Sequence, residues 1–201
     1  LVGDFWAKNF LTSYKGMFAD LTDAIDFNDF ANYKVQCLTV EDRVYGVPFD
    51  SGTAGIFYRT DYLEQAGYSA EDMVDITWPE MIEIAKAVRE KTGKYAFDFL
   101  PSECAFAWFD SAMQSTGEWF YDEEGNADFV NNKAVREMFD VVKELWNSDC
   151  VYRSASRDSA AVSAIQEGEV AFCLTAVWGS NTITAGTDAS GLWDYVPVPK
   201  L

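Results

Sequence analysis

The sequence predicts an α/β fold, and three observations carry that prediction. Segments whose apolar residues recur at helical spacing alternate with short β-branched and aromatic runs. Glycines and capping residues punctuate the segments, with no internal repeat and no low-complexity linker between them. The chain of 201 residues is 49% hydrophobic and 24% charged, which suffices for a sizeable core in one to one and a half domains.

The elements follow in order. Phe5 to Tyr14 repeats apolar residues at i, i+4 and i+8, a helix closed by Gly16. A second amphipathic piece carries Leu21 and Ile25 after Asp20. Arg43 to Phe49 and Thr53 to Tyr58 read as strands linked by the turn-prone Asp50-Ser51-Gly52. A short helix from Asp61 to Ala66 ends at Gly67. Thr77-Trp78-Pro79-Glu80 has the form of a capping box, with proline in the first turn where no N–H is needed. The helix it opens runs through Met81, Ile82, Ala85 and Val88 to Gly93. Tyr95 to Phe99 is a strand, and the loop Leu100-Pro101-Ser102-Glu103-Cys104 leads from it into a helix with Phe106, Trp108, Phe109 and Met113. Trp119 to Tyr121 and Ala127 to Phe129 flank an acidic hairpin tip. Val135, Met138, Phe139, Val142, Leu145 and Trp146 mark the clearest helix, which follows Asn131. Ala161, Val162 and Ile165 form a shorter one that stops at Gly168, and Val170–Leu174 and Leu192–Val198 are strands.

Charge and composition exclude whole classes of function. Asp and Glu number 33 against 15 Lys and Arg, a formal charge of −18. A phosphate backbone demands clustered Lys and Arg, so nucleic acid is not a partner, and an anionic membrane surface would repel the chain. There is no His, which removes the Ser-His-Asp triad, the Cys-His dyad and His-ligated metal sites. Cys37, Cys104, Cys150 and Cys173 have no C-x-x-C or zinc spacing and read as small hydrophobes. Neither a G-x-S-x-G elbow nor a phosphate-binding glycine loop occurs, and nothing asks for a cofactor or metal. Aromatic residues are in surplus at 16%, which suits a large core or a site built on ring faces.

Three segments place polar or aromatic groups where a strand ends, the favoured ligand position in open α/β sheets. They are Phe49-Asp50-Ser51-Gly52-Thr53, Ser102-Glu103-Cys104 and Thr175-Ala176-Val177-Trp178-Gly179-Ser180. Singly, they read as a turn, a helix cap and a core tryptophan.

Together they fall into a recognisable order. The run from Val44 through Asp50, Gly55 and Tyr58 to Leu63 resembles the signature of extracellular solute-binding proteins of ABC importers, in the carbohydrate-binding branch. Thr77-Trp78-Pro79-Glu80-Met81 is similar to that family's second motif, and Ile165 to Phe172 followed by Trp178 to its third. Phe18 to Asp23 and Trp193 to Pro199 resemble flanking family segments, so the likeness covers essentially the whole chain. Arg59-Thr60 stands where the family usually has Asn-Lys, and Ala176-Val177 replaces the usual glycine before the tryptophan.

The resemblance implies a type II periplasmic-binding-protein-like architecture, two α/β lobes joined by a hinge with the ligand between them. It implies that residues 1–50 are a remnant of the N-terminal lobe and the hinge entry, and that 51–201 are the C-terminal lobe. The implied activity is non-catalytic capture of a sugar or oligosaccharide outside the cytoplasm and delivery to the permease subunits of an ABC importer. Any membrane tether would be a lipid anchor outside this chain. By the same mapping, Trp178 stacks on a sugar ring, Glu103, Ser102 and Cys104 hydrogen-bond from the C-terminal lobe, Asp50 and Ser51 do so at the hinge, and Trp108 is a further ring. Binding by the 201-residue segment alone is expected to be no tighter than about millimolar. Two other readings stay open: a cationic ligand such as a polyamine, which would suit the negative charge, and a glycoside hydrolase built on paired carboxylates.

Overall fold

The computed structural model describes residues 4–50, 52–99, 104–118, 120–121, 126–154, 159–185, 189 and 191–201, with the backbone alone for 4–5 and 104–106. Chain contacts divide the molecule into two compact units, Leu1–Gly52 and Thr53–Leu201.

The first unit is small. Helix α1 (Asp4–Ser13) is followed, beyond a turn at Gly16 with φ +84°, by irregular chain rather than a second amphipathic helix. Local polar chemistry prevails there: the Asp20 carboxylate accepts from both the N–H and the hydroxyl of Thr22, and the Leu21 N–H donates to the Val44 carbonyl. Helix α2 (Asn32–Cys37) and a two-residue hairpin of β1 (Thr39–Val40) with β2 (Arg43–Val44) complete it. The expected strand over 43–49 is thus only two residues long, and Gly46 to Asp50 form no ladder. Among the described side chains of α1, Ala7 and Leu11 are buried, whereas Trp6, Phe10 and, just past the helix, Tyr14 are exposed.

The second unit holds a five-stranded mixed sheet in the order β5-β4-β6-β3-β7, from β3 (Ala54–Arg59), β4 (Tyr95–Phe99), β5 (Val151–Arg153), β6 (Val170–Ala176) and β7 (Trp193–Pro197). Strand β4 pairs parallel with β5 and β6, and β3 pairs antiparallel with β6 and β7. Val170 to Leu174 are buried without a break, as befits a central strand covered on both faces. Because side chains alternate, Phe97 and Phe172 share one face while Asp98 and Cys173 share the other.

The first face carries the core, packed under α4 (Trp78–Thr92), α5 (Cys104–Thr116) and α6 (Lys133–Asn147), with α3 (Thr60–Gln65) beside them. The capping box forms as expected: the Thr77 N–H and hydroxyl donate to the Glu80 carboxylate, the Glu80 N–H points back to Thr77 Oγ1, and Gly93 closes α4 at φ +71°. Asn132 caps α6, whose buried stripe is Ala134, Met138, Val141 and Leu145. Phe139, expected on that stripe, is exposed and lies near the Phe109 ring. Tyr121 and Ala127 form the neck of the expected hairpin, and its tip at 122–125 lies outside the described residues. The second face is covered by α7 (Ser159–Gln166) and α8 (Ser180–Thr184).

Candidate functional site

Strand β6 leaves the sheet at Ala176, and a short 3-10 turn, Val177–Gly179, swings directly into α8. This turn holds the Trp178 ring 54% exposed at the edge of a cavity of about 210 Å³. The cavity floor is the second sheet face, with Asp98, Cys173 and Thr175, and Leu174 also borders it; Ala161, Val162 and Ile165 of α7 form one wall, and Thr182 and Ile183 of α8 the other. The Thr53 carbonyl accepts from the Val177 N–H, which fixes the start of the turn.

The turn is tight because of Gly179. A Cβ there would lie 2.6 Å from Thr175 Cγ2 and 2.8 Å from Thr175 Oγ1, so only glycine lets the turn close onto the strand. The residues before the tryptophan need no such freedom: Ala176 is extended, at φ −86° and ψ 168°. Neither Ala176 nor Val177 has a positive φ, so their standing in place of glycine strains no backbone here.

The carboxylate of the cavity was not among the residues singled out from the sequence. Asp98 is only 7% exposed, in a strand whose other residues are Tyr95, Ala96, Phe97 and Phe99. A charged residue interrupting a buried run is itself a signal, since Asp is almost never fully buried without a partner. Among the described residues that line the cavity, Asp98 is the sole charged one.

The other expected site residues are distributed differently. Trp108 is 1% exposed, stacked on Trp78 at 5.1 Å with its ring edge-on to Phe97 and Phe99. It belongs to the core and not to the site, because α5 turns this residue toward the sheet. Asp50 is exposed and lies in the first unit. Ser51, Ser102 and Glu103 lie outside the described residues, as does the side chain of Cys104, the first residue of α5. Cys150 and Cys173 are buried free thiols and Cys37 a half-buried one.

Comparison with known proteins agrees with this architecture. Residues 5–200 match the family model described as bacterial extracellular solute-binding protein. The chain is 40% identical over all 201 residues to a lactose-binding protein of Rhizobium radiobacter, spanning 47% of that protein. It is 26% identical over 142 residues to an arabinooligosaccharide-binding protein of Bacillus subtilis, covering 70% of this chain and 32% of the relative. Among solved structures, the GacH receptor of Streptomyces glaucescens, determined unliganded and with acarbose, superposes with a TM-score of 0.81 at 25% identity, over 98% of this chain and 50% of that one. The sugar-binding protein MalE of Xanthomonas citri superposes with a TM-score of 0.79 at 22% identity, over 99% and 51%. The chain thus spans about half the length of the lactose-binding relative and of these solved structures, and its fold is the type II periplasmic-binding-protein-like α/β fold that the sequence motifs implied. With the family match running almost end to end and 40% identity over all 201 residues to a lactose-binding protein, this chain belongs to the bacterial extracellular solute-binding proteins.

Proposed function

We propose that the chain takes part in non-catalytic capture of a sugar or oligosaccharide outside the cytoplasm, for delivery to the permease subunits of an ABC importer. The observation that carries this reading is Trp178, a half-exposed ring at the edge of a cavity that also holds a buried carboxylate. A sugar presents an apolar C–H face and hydroxyl donors, and this pairing of ring and acceptor meets both. The names of the relatives, lactose-binding and arabinooligosaccharide-binding, support the same class of ligand. We assign residues 1–50 to an N-terminal lobe and hinge entry and 51–201 to a C-terminal lobe; the contact division near Gly52 supports that boundary. Glu103, Ser102 and Cys104, which follow β4 in the sequence, are further ligand contacts in this reading, with Asp50 and Ser51 at the hinge. Tethering to the membrane would fall to a lipid anchor outside these residues.

The test is calorimetry with lactose on the natural full-length polypeptide that carries this sequence. Truncating an aromatic anchor commonly costs about 2 kcal/mol or more, so Trp178→Ala weakens lactose binding by about thirtyfold. Equal affinity for the variant and the parent removes Trp178 from the site and the reading with it.

A further inference from the structure

We infer that Asp98 is the specificity-determining residue of the cavity: its buried carboxylate accepts hydroxyl hydrogen bonds from one sugar ring seated against Trp178. The inference rests on the sugar-capture reading above and goes beyond it by naming the recognising group and how much of the ligand it holds.

Three observations lead to it. Asp98 sits on β4 between two parallel neighbours, β5 and β6, so its backbone is held by ladders on both sides and its position does not depend on a loop. The cavity it borders is otherwise walled by apolar side chains such as Ile165 and Ile183, with Thr175 and Cys173 on the same sheet face. In such surroundings a hydrogen bond to a charged acceptor is worth more than in water, and a hydroxyl left unpaired costs more. An ionised carboxylate has about four acceptor positions, so a contact with the protein leaves room for a ligand's hydroxyl pair.

Charge and size select the ligand. A polyamine needs several carboxylates along its length, and the described lining offers one. A neutral polyol needs one acceptor and a ring face, which Asp98 and Trp178 supply. The cavity of about 210 Å³ is smaller than the roughly 300–1,000 Å³ that holds a drug-sized ligand, so it takes a single ring. The remaining rings of a longer sugar lie outside it. Thr175, two residues beyond Cys173 on β6, supplies a neighbouring hydroxyl.

The experiment is calorimetry on the natural full-length polypeptide with lactose and its monodeoxy analogues, alongside melting curves. Asp98→Asn keeps the shape and removes the charge. It is expected to weaken lactose binding by about tenfold or more, the equivalent of losing a charge-assisted hydrogen bond. At least one monodeoxy lactose is expected to bind the parent at least about tenfold more weakly than lactose and to lose that deficit in Asp98→Asn. Thr175→Val, which retains the branch and deletes the hydroxyl, is expected to weaken binding several-fold. A folded Asp98→Asn with parental lactose affinity overturns the inference, and so does a parent that binds every monodeoxy analogue as well as lactose, whether or not Asp98→Asn folds. If Trp178→Ala loses affinity while Asp98→Asn keeps it, this inference alone fails. A parent that does not bind lactose overturns the sugar reading as well.

Discussion

Gly179 offers the sharpest test of how the site is built, because two physical effects there have opposite signs. Its backbone is helical, at φ −67° and ψ −18°, where alanine is at ease. By conformational entropy alone, Gly→Ala at such a position stabilises a protein by about 0.4–1 kcal/mol. The added Cβ, however, would meet Thr175 Cγ2 at 2.6 Å and Oγ1 at 2.8 Å, with Thr175 Cβ at 3.3 Å. Thr175 is short and branched, paired with Gly55 in the sheet, and cannot swing away as a long side chain would. Overpacking of this kind costs about 1–3 kcal/mol, which exceeds the entropic gain. After that gain is subtracted, the net loss of up to about 2.6 kcal/mol lowers the melting temperature of a unit the size of Thr53–Leu201 by up to roughly 10 °C. The turn that carries Trp178 must shift to make room, so the proposed sugar binding is expected to weaken together with stability. Thr175→Ala removes the two closest contacts and keeps the Thr175 Cβ at 3.3 Å. Gly179→Ala is therefore expected to be destabilising in the parent and close to neutral in the Thr175→Ala background, with the coupling measured by thermal and denaturant unfolding. A Gly179→Ala protein that melts no lower than its parent, or a penalty that survives in the double variant, refutes the steric account.

Two further predictions concern stability. Burial and then the nearby Asp194 carboxylate push the Tyr58 phenol up from its ordinary 10.0 to about 12, and its hydroxyl donates to Asp194 at 3.2 Å. A raised folded-state value means that the native state holds its proton longer than the unfolded chain. The contribution is intact below pH 10 and is lost as pH rises from 10 toward 12, and Tyr58→Phe flattens part of that decline in denaturation measured against pH. Tyr195, also pushed up by burial, retains its own share, so an unaltered profile in Tyr58→Phe assigns the decline elsewhere. The Arg59 guanidinium, buried and gripping both Asp61 oxygens at 2.7 and 2.8 Å, lies 4.2 Å from the Tyr62 ring centre. Arg59→Lys loses the fork and the ring contact and is expected to cost about 1–3 kcal/mol in urea unfolding, against no change if a point charge is enough.

What the sequence disclosed depended on whether the deciding forces were local. The Thr77–Glu80 box, the stops at Gly67, Gly93 and Gly168, and the strands at 54–59, 95–99 and 170–176 are each encoded within a few residues, and they form where expected. Leu21 and Ile25 have helical spacing, yet the Asp20 carboxylate captures the Thr22 amide and the chain turns instead. Strand β5 is three residues long, too short for a periodicity of its own, so only pairing with β4 defines it. Trp108 and Trp178 look alike as aromatic residues beside polar loops. Which one is covered is decided by Trp78 and Phe97, both remote from Trp108 in sequence. Asp98 was passed over because a five-residue strand reads as apolar from its neighbours, and its significance comes from Trp178 and α7 across the cavity.

The Arg59-Thr60 departure shows why motif segments far apart in sequence occur together. Arg59 ends β3, and its guanidinium lies beside the Tyr62 ring and within 5.8 Å of the Trp193 ring centre. The Tyr62 hydroxyl donates to the Gly168 carbonyl at 2.9 Å. A Cβ on Gly168 would lie 2.8 Å from that hydroxyl and 3.1 Å from the guanidinium, and its backbone is left-handed at φ +75°. Glycine is thus demanded twice at this position, by the turn that ends α7 and by the side chains packed against it. The first motif supplies Arg59 and Tyr62, the third supplies Gly168, and the closing segment supplies Trp193, so the three meet at one corner of the sheet. From that corner β6 runs to Ala176 and delivers Trp178 to its cavity. The glycine that looks like a helix stop therefore also makes room for the side chains packed just before the strand on which the candidate site depends.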